Sequence, residues 1–244
     1  MRYNHSQLRY ALILILGLTT FSIPSWAGER DKIIEALARL QPSVGALYAQ
    51  EENGDMKFLC SATAVGRHEK STIILSANHC LRKGVSYLVN FGDNKLRSVR
   101  VWKIPHYEVD KEKFPRRYNE PETDMALFLM AGSDIPIVPL ANGEAQVTGA
   151  RVVMVGFPLG VAKIAYEGII AGKFDRLGAD FYGYLLLQIF GAPGSSGSAV
   201  VSVDTGNVVG ILVAAKVNPG LPVIFATPIQ YQDHLIQVAP DKVK

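Results

Sequence analysis

From Val44 onward the chain is a succession of short apolar or alternating runs, separated by clusters of turn-forming residues such as those at 52–55 and 204–207. Short strands at regular spacing, rich in β-branched and aromatic residues, are typical of a sandwich or barrel and not of βαβ units. The pattern therefore excludes a helical bundle and predicts an all-β fold. The clearest runs are 72–75, 86–91, 125–130, 151–157, 184–190, 199–203 and 208–213.

Helical periodicity is confined to the two flanks of this region. Residues 28–40 form a predicted N-terminal helical segment that ends before Pro42, and residues 228–238 form a predicted C-terminal helix. Residues 105–121 are polar and charged, so we expect a long surface loop there.

The first 27 residues have the features of a secretory signal peptide. Arg2 and Arg9 precede an apolar run over 11–23, and the small residues Ser25 and Ala27 stand where signal peptidase cuts. The alternative is an uncleaved membrane anchor, but the apolar run is shorter than the ~20 residues that span a bilayer. We therefore predict a secreted or periplasmic protein with no stable membrane association after cleavage.

Charge and cysteine content limit which partners, metals and covalent links the protein can have. The formal net charge is +3, and two positive charges lie in the predicted signal peptide, so no basic surface suggests a nucleic-acid partner. The two cysteines, Cys60 and Cys80, can persist as a disulfide in an exported protein. A zinc site would need more Cys or His at close spacing, so we predict no metal and no cofactor. Nothing in the sequence indicates an oligomeric state.

Two segments carry a histidine and a carboxylate in informative places. His79 lies at the tip of an apolar run beside Cys80, where a bridge to Cys60 would hold the ring in place. The alternative is a structural histidine next to a plain covalent staple. Asp124 immediately precedes a run of apolar residues, and a carboxylate drawn into the interior needs a partner such as an imidazole. The alternative for Asp124 is an ordinary strand-end turn.

The third segment, Gly-Ala-Pro-Gly-Ser-Ser-Gly-Ser-Ala-Val at 191–200, surrounds Ser196 with small residues. A hydroxyl nucleophile needs a tight turn that exposes its oxygen and points backbone N–H groups at a developing oxyanion. Gly194 and Ser196 are the candidate donors. A Gly/Ser hairpin turn is the alternative. Ser198 stands where an α/β-hydrolase elbow requires glycine, and the order His, Asp, Ser also argues against that class and against subtilisin.

These segments resemble the motifs of chymotrypsin-like serine proteases. Ser-Ala-Asn-His-Cys at 76–80 is similar to their Thr-Ala-Ala-His-Cys, and Thr-Asp-Met-Ala-Leu at 123–127 is similar to their Asp-Ile-Ala-Leu. Pro-Gly-Ser-Ser-Gly-Ser-Ala-Val at 193–200 resembles the Pro-Gly-Asn-Ser-Gly-Gly-Ala of HtrA-type proteases and the Gly-Asn-Ser-Gly-Ser-Pro of bacterial glutamyl endopeptidases. The likeness to the HtrA type covers roughly 40–232.

The resemblance implies a chymotrypsin-like fold of two antiparallel six-stranded Greek-key β-barrels. The first barrel, over 41–130, would supply His79 and Asp124, and the second, within 131–244 together with the C-terminal helix, would supply Ser196. The implied activity is that of a serine endopeptidase, which cleaves protein or peptide substrates through a Ser-His-Asp triad and an acyl-enzyme.

The resemblance also places the primary pocket, with Phe190 at its floor and Val213, Ala214 and Ala215 in its walls. No carboxylate or histidine lies there, so we expect a small or aliphatic uncharged P1 residue. Ser195 replaces the aspartate of the trypsin zymogen switch, so we expect signal-peptide removal to suffice for activity. The sequence continues only briefly past the protease motifs, so we expect no PDZ domain of the kind that many HtrA-type proteins carry. The alternatives are a narrower substrate range like that of glutamyl endopeptidases, a catalytically inactive binding protein of the same fold, and an exported esterase.

Overall fold

The structure is a computed structural model that describes residues 26–103, 124–142, 146–174, 184–218 and 221–229. Within these ranges the chain forms one α-helix and twelve β-strands. The helix is α1 (Trp26–Leu40), and the strands are β1 (Val44–Gln50), β2 (Met56–His68), β3 (Ser71–Ser76), β4 (Ser86–Asn90), β5 (Arg97–Lys103), β6 (Ala126–Ala131), β7 (Arg151–Gly156), β8 (Ile164–Phe174), β9 (Tyr184–Gln188), β10 (Ala199–Ser202), β11 (Val208–Asn218) and β12 (Leu221–Pro228).

The strands close into two antiparallel barrels. The first runs β1-β2-β3-β6-β5-β4 and the second runs β7-β8-β9-β12-β11-β10, so both halves have the same strand order. The prediction of an all-β fold with two six-stranded antiparallel barrels is therefore confirmed.

Burial explains why these residues form closed sheets. In β3 every residue after Ser71 is buried, and β6 is buried from Ala126 to Met130, because both strands face apolar groups on two sides. One continuous core extends from α1 through the first barrel to the adjoining wall of the second, and includes Leu40, Phe128 and Val153. A separate cluster fills the second barrel. The barrels thus share an apolar contact, and a site between them rests on packed walls from both.

The helix α1 covers one end of this contact. It packs against β7 and β10 and buries Ala36 and Leu40, while Lys32 forms an exposed ion pair with Asp204 at 3.4 Å. The helix ends at Leu40, as expected two residues before Pro42.

Several predictions lie outside the described residues. They are the surface loop over 105–121, the signal peptide except for its last two residues, which begin α1, and the C-terminal helix except for Pro228 and Ile229. Across the part of the chain that the structure describes, no helix combines the length and apolar character needed to cross a membrane.

Candidate active site

The ladder between β3 and β6 sets the position of His79 relative to Asp124. Ser76 pairs with Ala126 in this antiparallel ladder, so Asp124, two residues before Ala126, lies beside the short 3₁₀ turn Asn78–Cys80 that follows β3. Asp124 Oδ1 accepts the backbone N–H of His79 at 2.8 Å, and Oδ2 accepts the ring Nδ1–H at 2.6 Å. The carboxylate therefore fixes both the backbone and the ring of His79 and leaves Nε2 as the basic nitrogen.

This contact also sets the acidity of the ring. The hydrogen bond that the ring donates to Asp124 raises the pKa of His79 above its ordinary value, and the negative charge of the carboxylate adds to the effect, while partial burial of the ring opposes it. The side chains of His79 and Asp124 are 45% and 25% exposed, so the pair can exchange protons with solvent.

A disulfide anchors the same turn to the first barrel. Cys60 on β2 is bonded to Cys80, with the Cα atoms 6.3 Å apart, which confirms the predicted bridge. Both sulfur atoms and a ring nitrogen of His79 lie within 4.8 Å of one another. Because the sulfur atoms are bonded to each other, neither is a thiolate that could bind a metal ion. The bridge therefore acts here as a covalent brace beside the imidazole.

The turn that contains Ser196 has all its carbonyl groups engaged from Ala192 to Ser196. Three accept N–H groups from within or beside the turn, and two accept groups of Ser61 on β2. The hydrogen bonds are Ser195 N–H to Ala192 O (2.9 Å), Leu159 N–H to Pro193 O (2.6 Å), Ser61 Oγ–H to Gly194 O (2.9 Å), Ser198 N–H to Ser195 O (3.0 Å) and Ser61 N–H to Ser196 O (2.9 Å).

The amide groups of the same turn divide into two sets. The N–H groups of Ser195, Gly197 and Ser198 donate to backbone carbonyls, whereas those of Gly194 and Ser196 have no partner among the described residues. In a trans peptide the N–H points opposite to the preceding carbonyl. Since the preceding carbonyls are bonded to Leu159 and Ser198, the N–H groups of Gly194 and Ser196 are directed away from those contacts, as an oxyanion site requires.

Gly197 brings this turn against the strand end that carries His79. Its φ of 82° is in the left-handed region, and a Cβ there would lie 2.2 Å from the carbonyl oxygen of Ser61, 2.4 Å from Ser76 Oγ and 3.1 Å from the N atom of Ala77. Ala77 is two residues before His79. A side chain at 197 would therefore push the Ser196 turn away from the histidine.

The residues expected to line a primary pocket lie on the second barrel. Val213 is buried, with 6% exposure, whereas Ala214 and Ala215 are exposed. Phe190 is 59% exposed, and its ring centre lies 5.3 Å from that of Tyr166. The pairing of β11 with β10 ends at Ile211, so the 213–215 stretch is paired with β12 on one edge and has no described strand on the other.

Sequence reasoning did not single out Ser61, and it gave the 156–160 segment only as part of the likeness to HtrA-type proteases. In the structure Ser61 and Leu159 bond to the Ser196 turn, and Phe157 bonds to Ser61 Oγ. Ser61 Oγ accepts the N–H of Phe157 at 2.9 Å while it donates to Gly194 O, and it is fully buried. The available signal was a small polar residue directly after Cys60 in a mostly apolar run. That signal is weak, because buried serines are also common in ordinary strands.

Comparison with known proteins gives a match to a family model and matches to individual curated proteins. The family model described as a trypsin-like peptidase domain matches residues 60–211. A "Probable periplasmic serine endoprotease DegP-like" of Pseudomonas putida (strain GB-1) is 33% identical over 93 residues, which is 38% of this chain and 19% of the relative. A protein of the same name from Marinomonas sp. (strain MWYL1) is 31% identical over 93 residues, 38% of this chain and 20% of the relative. The match spans about a fifth of the length of these curated relatives.

Solved structures match over more of the chain. The HtrA-type protease AlgW with a decapeptide superimposes with a TM-score of 0.63 at 21% identity, and covers 80% of this chain and 63% of that one. AlgW with a tripeptide gives a TM-score of 0.62 at 24% identity, over 80% of this chain and 59% of that one. At this identity the likeness supports the fold.

Proposed function

Because the chain belongs to the family of trypsin-like peptidase domains, we propose that it is an exported serine endopeptidase with His79, Asp124 and Ser196 as its catalytic triad. The observation that carries the proposal is the double contact of Asp124 with the backbone N–H and the ring Nδ1–H of His79. A carboxylate that holds the proton on Nδ1 leaves Nε2 free to accept a proton, as a general base requires.

The proposed mechanism follows from this tautomer. His79 Nε2 takes the proton from Ser196 Oγ as that oxygen attacks the carbonyl carbon of a peptide bond, and Asp124 stabilises the imidazolium that forms. The negative charge that develops on the carbonyl oxygen is met by the N–H groups of Gly194 and Ser196, which have no other partner among the described residues. The imidazolium then protonates the leaving amine, and water hydrolyses the acyl-enzyme by the same steps in reverse.

We propose that the substrate backbone pairs with the open edge of β11 at 213–215. An extended peptide that adds to a strand edge is held by main-chain hydrogen bonds, and its alternate side chains enter pockets. Phe190, Val213, Ala214 and Ala215 carry no charge, which favours a small or aliphatic P1 residue. Cleavage of a peptide library checks this assignment, and a preference for Lys, Arg or Glu at P1 would refute it.

Export to the periplasm or beyond the cell has three supports. The predicted signal peptide precedes the barrels, the Cys60–Cys80 disulfide is stable only in an oxidising compartment, and the matched relatives are named as periplasmic. Mass spectrometry of the protein from cell fractions tests the location and the cleavage after Ala27 together.

A fluorophosphonate probe tests the catalytic assignment. Ser196 Oγ should displace fluoride from phosphorus, and peptide mapping should find the adduct on Ser196 alone. Ser196→Ala should abolish both labelling and cleavage of an unfolded protein, whereas Ser86→Ala, which removes an exposed hydroxyl on β4, should change neither. A folded wild-type protein without an adduct would identify a binding protein of this fold, and turnover of esters without cleavage of any protein would identify an esterase.

A further inference from the structure

Ser61 is a fully buried polar residue at the contact between the barrels, and all its polar groups are used. Its Oγ–H donates to Gly194 O and its Oγ accepts the N–H of Phe157, each at 2.9 Å. Its backbone N–H donates to Ser196 O at 2.9 Å, and its carbonyl oxygen accepts Ser76 Oγ–H at 2.7 Å. One residue of the first barrel therefore holds the second barrel on both sides of Ser195.

We propose that the Ser61 hydroxyl is a positioning group for the oxyanion donors, an inference that rests on the endopeptidase function proposed above. Ser61 does not touch the reacting atoms in this scheme. It acts through Gly194, whose carbonyl it anchors and whose N–H is one of the two proposed donors.

The backbone at Gly194 explains why an anchor is needed. Its φ of 93° is open to glycine, which passes between conformations at low cost, so hydrogen bonds are needed to set the peptide planes on either side. The plane before Gly194 is held by Leu159 N–H through Pro193 O. The plane after Gly194 is held to the first barrel by Ser61 Oγ, and its N–H makes only the local contact with Ala192 O.

Phe157 and Leu159 connect the two anchors. The N–H of Phe157 donates to Ser61 Oγ, and the N–H of Leu159, two residues later, donates to Pro193 O. Because the hydroxyl accepts one bond and donates the other, its proton has a defined direction, toward Gly194 O. An alanine at 61 leaves the part-buried Gly194 carbonyl and the part-buried Phe157 N–H without this partner, so the turn can relax.

Thr63 offers a matched control for a purely structural role. It lies two residues along β2, is equally buried, and also bridges the barrels, because Thr63 Oγ1 accepts the N–H of Ala199 at 3.3 Å. Its partner Ala199 is the first residue of β10, after the Ser196 turn. Thr63→Val keeps the shape of the side chain and removes the hydrogen bond, so it reports what the loss of one inter-barrel contact does to stability alone.

The test compares Ser61→Ala, Ser61→Thr and Thr63→Val with the wild type in peptide hydrolysis, fluorophosphonate labelling and thermal unfolding. For Ser61→Ala we expect kcat and the labelling rate to fall about 10- to 100-fold with KM changed by less than about threefold, because an oxyanion contact is made in the transition state. Thr63→Val should lower Tm and leave kcat unchanged. Ser61→Thr keeps the hydroxyl and should retain kcat within about threefold.

Each outcome bears on a distinct claim. If Ser61→Ala and Thr63→Val lose the same small fraction of kcat, the positioning role is refuted while the endopeptidase function stands. A wild-type protein that is not labelled refutes the proposed function itself. Should Ser61→Ala not fold, Ser61→Thr decides: retained kcat supports the hydroxyl, and a folded Ser61→Thr protein with more than about tenfold lower kcat refutes it.

Discussion

Replacement of Gly197 by alanine tests whether close contact between the Ser196 turn and the His79 strand is needed for activity. The new Cβ would lie 2.2 Å from the backbone oxygen of Ser61, and an ordinary contact begins at 3.4 Å. Ser76 Oγ can rotate away, but the backbone oxygen cannot. The Ser196 turn must therefore move by about 1 Å relative to the first barrel, and a misplacement of about 1 Å can cost about 10²-fold in rate.

Gly197→Ala should also lower the free energy of unfolding, for two reasons. An L-residue at a φ of 82° costs about 1–2 kcal/mol, and overpacking of a close contact costs about 1–3 kcal/mol. At about 2–4 °C per kcal/mol for a chain of this size, Tm should fall by roughly 4–20 °C. Activity is therefore measured well below the lowered Tm.

The variant Gly54→Ala is a control that introduces backbone strain at a positive φ without displacing the Ser196 turn. Gly54 has a φ of 88°, close to that of Gly197, but no atom lies within 4 Å of the place where an alanine Cβ would stand. Gly54→Ala should therefore lose only the strain part of the stability and keep full kcat/KM, whereas Gly197→Ala should lose about two orders of magnitude. If both variants hydrolyse peptides at the wild-type rate, the close contact of Gly197 with β2 and β3 is not needed for activity, and our reasoning on the site is wrong.

The pKa of His79 and the disulfide give the remaining predictions. Because Asp124 raises the pKa of His79, the acid limb of kcat/KM should lie above the ordinary histidine value, with activity rising as the ring loses its proton. The folding stability that this ion pair contributes changes with pH in the opposite direction to the activity. The raised pKa of His79 stabilises the folded state at low pH, and this contribution is lost as pH rises through the pKa of the folded protein. Asp124→Asn should shift the acid limb to lower pH and reduce kcat by about 10³–10⁴-fold, as a pH–rate profile would show. Removal of the Cys60–Cys80 bridge, which closes a separation of 20 residues, should cost about 3 kcal/mol in denaturant unfolding; an unchanged midpoint would contradict the bracing role.

The all-β architecture was predictable because its signal is local. Short apolar runs and turn clusters mark strands such as β3 and β10 within a few residues. The pattern left a sandwich or a barrel open, and the two closed barrels were expected from the resemblance to chymotrypsin-like proteases. β5 shows where this signal fails, since Arg97, Arg100 and Lys103 give it no apolar run, and it is recognised as a strand only through pairing with β4 and β6. The disulfide was predictable because a chain with a predicted signal peptide has two cysteines and one way to pair them.

The triad candidates were also within reach of the sequence, because each stands in a short motif with its own composition. Their geometry was not. The contacts that orient the Ser196 turn join residues far apart in the chain, 133 positions between Ser61 and Gly194 and 96 between Ser61 and Phe157. The hydrophobic periodicity and the composition of the sequence do not indicate such pairs, which form only when the two barrels pack against each other. The amino-acid order therefore specifies which groups can do the chemistry, and the packing of the barrels specifies which N–H groups remain available, which way the imidazole faces and how strongly it holds its proton.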